Sequence, residues 1–188
     1  MSQASAVLDA TEDTLALARA HQANARMLAL NAATDEAAAQ LDQAQRLIEL
    51  VGDRDDLGVL RAEQAKLAAQ TGDAETAIKQ AREAEELLAG DVRHQASAQH
   101  ALGVAYAAGG DIDAADAAFK SAVDLMEERS QRREAAQIAR EWARSLREAG
   151  REAEAFNVME RATLLAVRNM GAEARTRSLA RDIPDSSV

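Results

Sequence analysis

Residues 99–125 read QHALGVAYAAGGDIDAADAAFKSAVDL. Leu102, Gly103 and Tyr106 come first, Gly110-Asp111 follows, and Ala115, Phe119 and Ala122 complete the set. These spacings of three, four and seven residues are helical, and the glycines with Asp111 mark a tight turn and a helix start. The stretch therefore predicts two antiparallel helices in close contact. Gly103 and Ala115 let the backbones approach, while Tyr106 and Phe119 fill the space beside them.

The same constellation recurs along the chain. Ala37, Ala77, Ala115 and Ala155 lie at intervals of 40, 38 and 40 residues. Seven residues beyond each stands Ala44, Ala84, Ala122 or Ala162, and three further on Leu47, Leu87, Leu125 or Leu165. Twelve residues before each anchor is Ala25, Ala65, Gly103 or Ala143. Alanine richness inflates the alanine matches but leaves the leucines unexplained by chance. The larger positions are less regular. The tyrosine position holds Leu28, Ala68, Tyr106 and Leu146, and the phenylalanine position Leu41, Ala81, Phe119 and Met159.

Composition agrees with an all-helical chain. The 188 residues suit one domain with a sizeable core. The only proline, Pro184, lies after the last helical pattern, so nothing breaks helices in the body of the chain. A net charge of −10 disfavours nucleic-acid binding, which needs a basic footprint. Cysteine is absent, which excludes disulfides and thiolate metal sites and points to a reducing cytoplasm. The N-terminal MSQASAVLDATEDTL has no basic region and no long apolar run, unlike a signal peptide. No stretch approaches the roughly 20 apolar residues of a membrane span.

Four helix pairs follow, at about residues 12–51, 55–89, 93–128 and 131–169. Thr34 and Asp35 offer a start to the second helix. Gly72-Asp73 turns the second pair, Gly109-Gly110-Asp111 the third and Gly150 the fourth. Asp53, Asp55 and Asp56 read as helix-start residues. Gly171 closes the fourth pair, and a polar helix at about 172–182 then caps the exposed end of the stack. Residues 183–188 read as a disordered tail. Trp142, at helical spacing with Ile138 and Leu146, reads as core.

The pattern L-G-x-x-Y…A-x-x-x-F of residues 102–119 resembles the tetratricopeptide repeat (TPR) family. The third and fourth repeats match well, while the first two keep mainly the small and leucine positions. The resemblance implies an α-solenoid of four TPR-like antiparallel helix pairs plus the C-terminal cap, spanning 1–188 as a single domain. It also implies that the first helix of each pair lines a concave groove. On that mapping the groove presents Arg19, Gln22 and Arg26 from the first pair and Lys66 from the second. His100 comes from the third, and Gln137, Arg140, Arg144 and Arg147 from the fourth.

That set holds basic residues and no acidic ones. Arg140, Arg144 and Arg147 share one helix face, and guanidinium groups suit carboxylates through paired hydrogen bonds. The expected partner is thus a protein or peptide segment bearing acidic residues or a terminal carboxylate. The plain alternative is a solvated face neutralised by Glu141 and Glu148. His21, His94 and His100 do not converge as ligands, no phosphate-loop, nucleophile-elbow or zinc motif is present, and no cofactor is expected. The expectation is a non-catalytic interaction module with a regulatory or sensor role, in the cytoplasm. The chain also resembles the C-terminal TPR region of bacterial helix-turn-helix transcriptional regulators. Self-assembly as a homodimer scaffold is the rival reading.

Overall fold

The computed structural model describes the backbone of residues 3–181 and the side chains of residues 10–168; the tail expected at 183–188 lies outside the described residues. The fold is all-α. Among the described residues there are eight helices and no strand. They are α1 (Gln3–Leu30), α2 (Thr34–Val51), α3 (Arg54–Gln70), α4 (Ala74–Leu88), α5 (Gln95–Ala108), α6 (Ile112–Glu128), α7 (Arg132–Glu148) and α8 (Glu152–Arg181). Packing divides the chain into two compact units, residues 1–122 and 123–188, with the boundary inside α6.

In the first unit, α1 to α5 stack in chain order as a helical repeat. Each helix packs on the next, and the first helices of successive pairs also touch, α1 with α3 and α3 with α5. In the second unit, α7 and α8 form an antiparallel pair.

The small positions of the repeat explain this packing. Ala37, Ala77, Ala115, Ala155, Ala44, Ala84, Ala122 and Ala162 are all buried, as are Ala25, Ala65 and Ala143. A further small position emerges seven residues before these last, held by Ala18, Gly58, Ala96 and Ala136, all buried. Backbones separated by a methyl group or less leave little room. A Cβ on Gly58 would lie 2.6 Å from Leu88 Cγ. Trp142, Ile138 and Leu146 are buried as expected.

The turns within pairs repeat as faithfully as the helices. Ala32, Gly72, Gly110 and Gly150 occupy the same repeat position, and all four have positive φ. In each, the next residue donates its N–H to the carbonyl five positions earlier: Ala33 to Leu28, Asp73 to Ala68, Asp111 to Tyr106 and Arg151 to Leu146, at 2.9–3.0 Å. The acceptors are the tyrosine positions of the repeat. Asp73 and Asp111 then cap the second helix, accepting from the N–H of Thr76 and Ala114. The first pair differs, because Ala33 rather than Thr34 or Asp35 is the cap residue of α2, and it has no side chain to offer.

Three expected boundaries are corrected. Helix α1 begins at Gln3 rather than near residue 12. Helix α5 begins at Gln95, after a turn in which Asp91 accepts from the Arg93 N–H and pairs with His94. No separate capping helix stands at 172–182, because α8 runs unbroken through Gly171 to Arg181. A single glycine costs a helix only about 1 kcal/mol relative to alanine, and good helix formers (Ala172, Glu173, Ala174, Arg175) follow it.

Candidate functional site

The residues expected to line one groove have different environments in the two units. In the first, α1 and α3 face each other through charge. Arg19 makes a two-pronged contact with Asp56, its Nε donating to Oδ1 at 2.9 Å and its Nη2 to Oδ2 at 2.7 Å. One heptad on, Arg26 Nε lies 3.8 Å from Glu63 Oε1. Lys66 Nζ donates to that same oxygen at 2.9 Å. The Asp56 side chain is only 7% exposed and that of Glu63 10%. Hydrogen bonding to Asp56 raises the Arg19 pKa further above its ordinary value. Between the two arginines, Gln22 is buried, and its Nε2 has no hydrogen-bond partner among the described residues.

Asp56 and Glu63 correct the expectation of a groove without acids. Each arginine of α1 and the lysine of α3 is used inside the fold, so the cationic character expected of the first two repeats is cancelled. Asp56 sits in the first turn of α3, as expected of a helix-start residue, and Asp53 is the cap, accepting from the Asp56 N–H at 2.8 Å. Only the meeting of the Asp56 carboxylate with Arg19 was not expected. The signal was present in the sequence. Arg19 and Arg26 are seven apart, and so are Asp56 and Glu63, as facing stripes of two adjacent helices should be.

His100 is half-buried, with its ring centroid 6.1 Å from that of Phe119 and tilted by 47°. This ring contact places it beside the close approach of Gly103 to Phe119.

The second unit keeps its expected face. Gln137, Arg140, Arg144 and Arg147 are all exposed along α7. The opposite face, with Ala135, Ile138, Ala139, Trp142, Ala143 and Leu146, is buried. Arg133 extends the exposed stripe by one turn. Among the described residues, Arg140, Arg144 and Arg147 make no ion pair. Arg161 of α8 contrasts with them. Partial burial opposes its charge, but hydrogen bonds to Asp124 and Glu127 outweigh that and raise its pKa.

Charge is also divided unevenly along the chain. Residues 1–122 carry 20 acidic and 10 basic side chains, whereas residues 123–188 carry 12 of each, every basic one an arginine. From 129 to 151 there are seven arginines and three glutamates. Thus the excess negative charge belongs to the first unit, and α7 is locally basic.

No three potential ligands among His, Asp and Glu converge among the described residues. A shallow depression of about 410 Å³ lies at the α4–α5 turn, where Arg54 and Arg93 are offset by Asp55 and Asp91. None of the described helices is long and apolar enough to cross a membrane. Comparison with protein-family models and with curated proteins returned no match.

Proposed function

We propose that this chain is a non-catalytic, TPR-like interaction module whose α7 binds an acidic protein segment. The observation that carries the reading is a contrast. Arg19, Arg26 and Lys66 are held by buried carboxylates, whereas Arg140, Arg144 and Arg147 form an exposed stripe with no ion pair among the described residues. Exposed guanidinium groups on a rigid helix suit a row of carboxylates, through paired and charge-assisted hydrogen bonds. Residues Gln137 to Arg147 span about 15 Å at 1.5 Å per residue, the reach of four or five extended residues. A short acidic stretch or a chain terminus fits that length. We further propose a regulatory or sensor role in the cytoplasm, which rests on the resemblance to the TPR region of bacterial regulators and on the absence of cysteine.

A fluorescein-labelled hexaglutamate peptide, titrated by anisotropy, tests the proposal. Arg140→Glu with Arg144→Glu is expected to weaken binding by about tenfold or more, and added salt to weaken wild-type binding. Arg19→Ala is expected to leave the affinity unchanged. No binding by the wild-type chain, or equal affinity in the charge-reversed variant, removes the reading.

A further inference from the structure

Two exposed positions of α8 are apolar where the matching helices of earlier pairs are mostly charged. Leu164 stands at the repeat position of Arg46, Glu86 and Asp124, and Val167 at that of Glu49, Ala89 and Glu127. Phe156 is 70% exposed, Leu164 52% and Val167 55%. The core of the helix is its other side, with Ala155, Val158, Ala162 and Leu165 buried. Met159, in the phenylalanine position of the repeat, is itself 38% exposed, unlike buried Leu41, Ala81 and Phe119. Because α8 continues through Gly171, the described residues include no separate helix to cap this face.

Two opposite charges lie on the same face. Phe156, Glu160, Leu164 and Arg168 follow one another at four-residue spacing and form a single ridge. Glu160 and Arg168 are exposed, and neither makes an ion pair among the described residues. Eight residues separate them by about 12 Å along the helix, too far to pair within one chain. Laid antiparallel on a second copy of α8, with Leu164 on the two-fold axis, each Glu160 meets the Arg168 of the other copy. The ridge is thus complementary to itself, as an isologous interface requires.

We infer that α8 is a homodimer interface, two copies crossing antiparallel at Leu164 with Glu160–Arg168 pairs on either side. The 12 acidic and 12 basic side chains of residues 123–188 leave this unit without net repulsion against its copy. A contact built on a few apolar side chains per copy falls below a standard interface of about 800 Å² per partner, so a weak dimer that dissociates on dilution is expected. The inference is independent of the acidic-peptide reading, which concerns α7.

Sedimentation velocity of the full chain between about 1 and 300 μM tests it. The wild type is expected to pass from monomer to dimer across that range. Glu160→Arg and Arg168→Glu are each expected to weaken the dimer about tenfold, since the two-fold axis makes every substitution count twice. The combined charge swap is expected to restore it to within about threefold, and Leu164→Glu to abolish it. Circular dichroism confirms that each variant is folded. A wild-type chain that stays monomeric overturns the inference, as does a dimer that the swap fails to restore.

Discussion

Gly103 and Phe119 meet where no side chain separates α5 from α6: a Cβ on Gly103 would lie 2.7 Å from Phe119 Cγ and 2.8 Å from Cδ1. Such a contact forces the ring or a helix to move. Gly103→Ala is therefore expected to destabilise the protein by about 1–2 kcal/mol, even though alanine favours the helix by about 1 kcal/mol. Urea unfolding checks this. In a Phe119→Leu background the cost of Gly103→Ala should shrink, and a cost unchanged by that background would refute the steric account.

The first pair turns without the residues its turn prefers. Ala32 has φ of 58°, a left-handed conformation that costs a non-glycine residue about 1 kcal/mol, and Ala33 leaves α2 without a side-chain cap. Ala33 has φ and ψ of −84° and 66°, close to the −87° and 77° of the capping Asp73. Replacing Ala32-Ala33 by Gly-Asp, as in the second and third pairs, should stabilise by about 1–2 kcal/mol. Thermal unfolding should show a melting temperature higher by several degrees. No rise would mean that the strain is relieved elsewhere in the native turn.

Arg19 and Asp56 join α1 to α3 across 37 residues. Arg19 is 62% exposed, so solvent screens much of the attraction, and a double-mutant cycle of Arg19→Ala and Asp56→Ala should give a coupling of about 1 kcal/mol. Raising salt should reduce it. A coupling near zero would show that Asp56 is held by its helix N-terminus alone.

Asp91 links stability to acid. Burial opposes its charge, but the His94 side chain and the Arg93 N–H outweigh that and hold its pKa below the ordinary carboxylate value. A carboxylate depressed on folding contributes stability above its unfolded pKa, about 3.9, and loses it as pH falls through the lower folded value. Asp91→Asn should therefore lose less stability than the wild type on acidification below about pH 4. Melting temperatures of both proteins, taken from pH 6 down to pH 2, read the difference. Parallel curves would exclude the linkage.

The recurrence of Ala37, Ala77, Ala115 and Ala155 made the helix pairs legible in the chain itself. Close approach between two helices is a property of single positions: only a residue that is small fits there, so the demand is written directly in the sequence. The glycines of three turns and the exposed arginine face of α7 were readable for the same reason, since helical spacing places residues on a face without knowledge of any neighbour. Tertiary structure decided which charges remain available. Arg19 and Arg140 look alike in sequence, but Arg19 meets Asp56 from another helix while Arg140 meets no carboxylate among the described residues. That distinction depends on the register between α1 and α3. It also decided where the last helix ends, because Gly171 is a stop only if something else ends the helix with it, and α8 instead continues and leaves Phe156, Leu164 and Val167 open.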